Sequence, residues 1–363
     1  MRIVFLSFNY SSDVRSPAEW IERLKFYIGW SEYLTKEHTV IRIDQIDYQG
    51  IFTFNGIQYH CIDAGGKNNY LPWKLFRAVR NLKPDIVIVS SFMFPLQVIQ
   101  LRFWLGSKAK IILQHHAEKP FSGIKKYIQK LASRQADCYL FVSKETGTSW
   151  VSSNNLASED KIRELPEVSS DFYPIDQISA RAVTGVSGSP TFIWVGRLNQ
   201  NKDPVLAVKA FLRFAECQPH VRLYMIYQTD ELVEEINKLL PKNPLLSPIL
   251  LVGKIRHKDL LYWFNSADYY LSASHYEGSG TALCEAMSCG CIPVVTNIPS
   301  FRTIIANCGL LYEPGNEESL VSALKQTSHL SVADKKQYVL KRFESELSFI
   351  TIAEKFQQIL DSI

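Results

Sequence analysis

Apolar residues along this chain gather in short unbroken runs more often than they alternate. "RIVFLSF" (2–8), "TVIRI" (39–43), "DIVIVS" (85–90), "KIILQ" (110–114) and "CYLFVS" (138–143) are each about one strand long. A strand that is apolar on both sides is buried on both faces, which is the condition inside a parallel sheet covered by helices. Helix-period stretches separate most of these runs. One follows Ser16-Pro17, with proline suited to a first helical position; others are "LPWKLFRAVRNL" (71–82) and "GIKKYIQKLASRQ" (123–135). Strand and helix in alternation predict right-handed βαβ units on a parallel sheet.

The pattern fails over "PEVSSDFYPIDQISARAVTGVSGSP" (166–190), which has little periodicity and ends in Gly, Ser and Pro, as a connection between domains does. It then restarts. "TFIWVG" (191–196), "VRLYMIY" (221–227), "ILLVG" (249–253), "DYYLSAS" (268–274) and "CIPVV" (291–295) read as strands, and "DPVLAVKAFLRFAE" (203–216) as a helix opened by Pro204. No short repeat period is visible, which argues against a solenoid. The expected architecture is α/β, with two Rossmann-like doubly wound domains facing each other across a cleft. The expected divisions are an N-terminal domain at 1–170, a linker at 171–190, a C-terminal domain at 191–345, and a terminal helix at 346–363 packing back on the first domain.

Composition agrees with this picture. The 363 residues, 46% hydrophobic and 21% charged, suit two globular domains. The net charge of +4 is uneven, since residues 1–170 hold 22 Lys and Arg against 16 Asp and Glu and the remainder is slightly acidic. A modestly basic first half favours an anionic ligand or an anionic membrane surface, and is too scattered for nucleic acid. Seven dispersed cysteines form no paired CxxC motif, and Cys289 and Cys291 read as small buried residues, so reduced thiols and a cytoplasmic setting are expected. "MRIVFLSF" lacks the apolar segment and cleavage site of an export signal, and no run is long enough to span a bilayer. "FMFPLQVIQLRFWLG" (92–106), interrupted by Pro95, Gln97, Gln100 and Arg102, reads as an amphipathic helix.

Ligands of open parallel sheets gather beyond the carboxyl ends of the strands. After "TFIWVG" comes "RLNQNKD", placing Arg197 and Lys202 just past Gly196, where two cations on one loop can embrace a diphosphate. A solvated loop would look the same. After "DYYLSAS" comes "HYEGSGTALCEAM", where Gly278, Ser279 and Gly280 lead into a helix at Thr281, and free amides at a glycine-flanked helix start cradle anions. Glu277 precedes this turn and Glu285 lies one helical turn inside, so the two carboxylates can bracket what the amides hold. An anionic centre with a polyhydroxylated group on either side describes a nucleoside diphosphate sugar. The plainer alternative makes Glu277 a turn residue and Glu285 a core-edge residue.

"WVGRLNQNKD" (194–203) and "ASHYEGSGTALCEAMSCGCIPVV" (273–295) resemble the two signature segments of the retaining group 1 (family 4) glycosyltransferases, which have the GT-B fold. Glu277 and Glu285 stand at the ends of their Glu-x7-Glu element. The resemblance implies that Arg197 and Lys202 bind the diphosphate and stabilise the leaving nucleotide. It also implies that the amides of Gly278, Ser279, Gly280 and Thr281 hold the distal phosphate and sugar, that Glu277 binds sugar hydroxyls, and that Glu285 binds the ribose. "GKI" (253–255), with Lys254 and Ile255, matches the segment that contacts the base. A cleft histidine touching the donor sugar is implied at the end of "KIILQHHAEKP"; strand alternation points His116 or His115 inward, His116 being the first choice. Such enzymes mostly need no metal or other cofactor. The implied activity is transfer of a hexose from a UDP- or GDP-sugar to a glycan or lipid-linked acceptor in surface polysaccharide synthesis, at the inner face of a membrane. The chain departs from the family pattern in three places. The first strand lacks a glycine-rich loop, Tyr227-Gln228 replaces a glycine, and "LPEVSSDF" lacks the usual Asn-Gly. A nucleotide-sugar epimerase, a phosphorylase or a non-catalytic scaffold on the same architecture are the competing readings, and no G-x-G-x-x-G follows the first strand to support a dehydrogenase.

Overall fold

A computed structural model of the chain describes residues 1–62, 70–243 and 246–363. The residues separate into two compact units, Met1–Ser169 with Phe349–Ile363, and Ser170–Ser348.

The first unit is built on eight strands: β1 (Arg2–Ser11), β2 (Thr39–Ile46), β3 (Gly50–Phe54), β4 (Ile57–Cys61), β5 (Ile86–Ser90), β6 (Lys110–Gln114), β7 (Cys138–Phe141) and β8 (Ile162–Glu164). Their order is β3-β4-β2-β1-β5-β6-β7-β8, parallel except for the antiparallel β3–β4 pair. The apolar runs are explained by their two faces. Val4 and Leu6 of β1 join one core with Ile41, Val87 and Ile111, while Ile3 and Phe5 join another with Val40, Ile86 and Ile112. The second core is closed by the helix Pro17–Tyr33 and by the last helix, Phe349–Asp361, which inserts Phe356 against Trp30 with ring centroids 5.0 Å apart. Gly29 permits this approach, because a Cβ there would lie 2.7 Å from the Phe349 ring.

The second unit carries six parallel strands: β9 (Thr191–Gly196), β10 (Arg222–Tyr227), β11 (Ile249–Gly253), β12 (Tyr269–Ser272), β13 (Ile292–Thr296) and β14 (Leu310–Tyr312). Their order is β11-β10-β9-β12-β13-β14. Successive strands run outward from β9 on one side and from β12 on the other, so the direction of winding reverses between these neighbours. That reversal opens a crevice at their carboxyl ends. The segment 171–190, read from sequence as a linker, contains the helix Gln177–Thr184. Arg181 and Gln177 of that helix hydrogen-bond to Ser266 and Asp268 within the second unit.

Candidate active site

Two loops leave the switch point side by side, one after β9 and one after β12. They are tied together. The Asn201 side chain donates to the Tyr276 carbonyl at 2.9 Å, the His275 amide donates to the Asn201 carbonyl at 2.8 Å, and His275 Nε2 lies 3.0 Å from Asp203 Oδ2. Asp203 also caps the helix Pro204–Ala215, accepting from the Leu206 amide at 3.2 Å. The result places Lys202 Nζ against Glu277 Oε1 as a half-buried ion pair. Arg197 follows Gly196 at the same strand end and is exposed, with no side-chain hydrogen bond or ion pair among the described residues.

The loop after β12 enters the helix Thr281–Ser288 through Gly280, which adopts φ +63° at the N-cap. Among the described residues the amides of Gly278, Gly280 and Thr281 have no hydrogen-bond partner. They are donors left open at a helix start, where the dipole adds positive potential. Ser300 Oγ fixes the loop by donating to the Glu277 carbonyl at 3.0 Å.

Glu285 lies inside that helix and is 4% exposed. Burial raises its carboxyl above the ordinary value, a hydrogen bond from His257 opposes this, and Asp171 adds to it. His257 Nε2 is 2.5 Å from Glu285 Oε1, and its ring lies over Phe172 at 5.3 Å. His257 sits two residues beyond Ile255, so the loop carrying exposed Lys254 and half-buried Ile255 leads directly to Glu285. The second unit therefore joins Lys202 to Glu277, and the 254–257 loop to Glu285. Sequence reasoning passed over His257, Asn201 and His275. Asp203 before Pro204, the partner of His275, did carry a sequence signal, that of a helix N-cap.

In the first unit the two histidines past β6 divide. His115 is 3% exposed among Phe92, Phe141 and Trp150, stacked on Phe141 at 4.8 Å, with Nε2 2.9 Å from the Glu118 carbonyl. It is a core ring. His116 pairs through Nδ1 with Glu167, and its Nε2 has no hydrogen-bond partner among the described residues. Among the described residues no group of three or more His, Cys, Asp or Glu side chains could hold a metal ion.

Residues 176–341 match the family model of the glycosyl transferases group 1. An uncharacterized glycosyltransferase of Methanocaldococcus jannaschii is 22% identical over 272 residues, covering 69% of this chain and 65% of that protein. A lipopolysaccharide core biosynthesis mannosyltransferase of Rhizobium meliloti is 23% identical over 239 residues, covering 63% of this chain and 64% of the relative. The chain thus spans just under two thirds of the length of these curated relatives. The crystal structure of an Anabaena protein in complex with UDP superposes with a TM-score of 0.73 at 15% identity, covering 100% of both chains, and so shares the fold, which is GT-B. The part of this chain that matches the glycosyl transferases group 1, residues 176–341, is nearly the whole of its second unit.

Proposed function

We propose that this protein is a retaining glycosyltransferase that moves a hexose from a UDP- or GDP-linked donor to a glycan or lipid-linked acceptor, without a metal ion, in surface polysaccharide synthesis at a membrane face. The observation that carries this reading is the meeting, at one switch point of the second sheet, of Lys202, Glu277 and the open amides of Gly278, Gly280 and Thr281. In the reaction the bond from the anomeric carbon to the phosphate oxygen breaks and the nucleoside diphosphate takes up the negative charge. The acceptor oxygen bonds to the anomeric carbon and loses its proton. Arg197, Lys202 and the helix amides meet the leaving group's charge where another enzyme would use a cation. Lys202 has three N–H donors, so its pairing with Glu277 leaves donors for phosphate. Glu277 keeps one oxygen for sugar hydroxyls, Glu285 takes the ribose, Lys254 and Ile255 take the base, and His116 of the first unit takes a sugar hydroxyl. The lipopolysaccharide role of the Rhizobium relative and the UDP held by the Anabaena protein support the choice of substrate class.

Arg197→Ala and Lys202→Ala test the reading, with nucleoside diphosphate release measured in the presence of acceptor. Losing one preorganised donor of this kind costs about 10²–10³-fold in kcat. Chelation by EDTA is expected to leave the wild-type rate unchanged. Full activity in both variants ends the assigned roles. An altered sugar appearing with donor alone identifies an epimerase instead, and failure to bind any nucleotide identifies a scaffold.

A further inference from the structure

Glu167 lies in "LPEVSSDF", one of the segments that depart from the family pattern, and its carboxylate side chain is buried, the residue being 4% exposed. A charge buried to that degree is retained when it is paired. The segment that carries it is pinned on both sides. The Leu165 amide donates to the Phe141 carbonyl at 2.8 Å, at the end of β7, and the Ser169 amide donates to the Phe26 carbonyl at 3.1 Å, on the helix Pro17–Tyr33. His116 is fixed as firmly. Its amide donates to Glu118 Oε2 at 2.7 Å, while Glu118 Oε1 accepts from the Phe92 amide at 3.1 Å, so one carboxylate ties the loop after β6 to the loop after β5. Tyr27 meets the imidazole edge-on, with centroids 5.9 Å apart.

We infer that Glu167 is a positioning residue for His116: its carboxylate accepts the Nδ1 proton and so leaves Nε2, a buried nitrogen with no partner among the described residues, as the lone-pair acceptor for a sugar hydroxyl. A neutral imidazole has one donor and one acceptor nitrogen, and the partner of one nitrogen decides the character of the other. With Nδ1 held by Glu167, the partnerless Nε2 is the nitrogen left for ligand. The charged and titratable groups facing the ring are Glu167, Glu118, His115, Arg42 and Tyr27. Burial lowers the imidazole below its ordinary value and so favours the neutral ring, Glu118 opposes this, and His115 and Arg42 add to it. If the hydroxyl is that of the attacking acceptor, its proton passes to Nε2 as the new glycosidic bond forms, and Glu167 faces the resulting imidazolium. The inference rests on the role proposed for His116 and adds what sets that role.

The test combines ¹⁵N ring signals with kinetics in Glu167→Gln, Glu167→Ala and His116→Asn. In the wild type the His116 ring is expected to carry its proton on Nδ1. Glu167→Gln keeps an acceptor oxygen, so the tautomer is expected to persist while the acid limb of the kcat profile moves to lower pH, since the negative charge that favours imidazolium is gone. Glu167→Ala is expected to lose the single tautomer and about 10- to 100-fold in kcat, less than the about 10²–10⁴-fold of losing an acid–base group outright, with donor KM little changed. Loss of transfer alone assigns the hydroxyl to the acceptor, and equal loss of donor hydrolysis assigns it to the donor; either supports the pair. Unchanged ring signals and an unchanged pH profile in both Glu167 variants, with His116→Asn inactive, overturn the inference and leave His116 in its role. Full activity of His116→Asn removes the role of His116 itself, and this inference with it.

Discussion

At the scale of single residues, three buried or half-buried histidines make the stability of the first unit depend on pH. His115, His116 and His60 are all lowered from the ordinary value, with burial as the largest cause in each. An unfolded histidine titrates near about pH 6.5. Because the folded-state values lie below that, the unfolded chain binds more protons as the solution is acidified. The stability these groups contribute is present above about pH 6.5 and is lost as pH falls towards their folded values. Each fully titrating group gives a slope of about 1.4 kcal/mol per pH unit. Urea midpoints measured from about pH 7.5 down to about pH 5 are expected to fall, and His115→Phe is expected to flatten the curve by one proton. The His257–Glu285 pair gives a prediction of the same kind for binding. His257 offsets the burial that raises the Glu285 carboxyl. In His257→Ala the carboxyl is expected to protonate at higher pH, so calorimetric affinity for UDP or GDP should weaken several-fold between about pH 7.5 and about pH 6, a range over which the wild type changes less.

At the scale of elements, the start of the helix Thr281–Ser288 depends on Gly280. The residue holds φ +63°, and a Cβ there would meet the Phe301 ring at 2.7 Å. Gly280→Ala is expected to cost about 1–2 kcal/mol for the left-handed backbone alone, and to displace the open amides. The thermal midpoint and the nucleotide Kd should therefore both worsen. This element also shows what the sequence made legible. The glycines, the helix start and the spacing of Glu277 and Glu285 are local features, readable from the order of residues. The continuous apolar runs at 2–8, 85–90, 191–196 and 291–295 reported burial on both faces and so marked the parallel strands. The hairpin β3–β4 escaped, although Asn55-Gly56 at its turn adopts φ 46° and 80°, the positive values that favour Asn-Gly in two-residue hairpins. Strands β8 and β14 have three residues each, too few to show a period. His257 and Glu167 could not be found by pattern. Each acquires its meaning from a partner 28 or 51 positions away, brought near only by the packing of the sheet.

At the scale of the whole molecule, the uneven charge of the chain meets an uneven distribution of exposed apolar surface. Ile124, Tyr127 and Leu131 recur at i, i+3 and i+7 along and just before the helix Lys125–Arg134, and are 77%, 61% and 47% exposed. Lys125, Lys126, Lys130 and Arg134 lie among them. Phe103 of the adjacent helix Pro95–Leu105 is 88% exposed. The sequence read 92–106 as an amphipathic helix, and the stripe next to it is better developed. No described helix is long and apolar enough to cross a membrane. An apolar stripe flanked by Lys and Arg is instead suited to lying in the interface of an anionic bilayer, where each basic residue contributes about 1 kcal/mol and buried aromatic and aliphatic groups add to it. The proposed lipid-linked acceptor would be met at such a surface. Sedimentation with vesicles containing about 30% phosphatidylserine is expected to carry the protein down at low salt, with less bound as salt screens the charges and little on purely phosphatidylcholine vesicles. Ile124→Asp with Leu131→Asp is expected to reduce binding at least about tenfold, while donor hydrolysis in solution stays at the wild-type rate because both side chains point to solvent. Equal binding to both kinds of vesicle, or binding indifferent to the double substitution, would remove this helix as the contact and leave the chemistry of the second unit untouched.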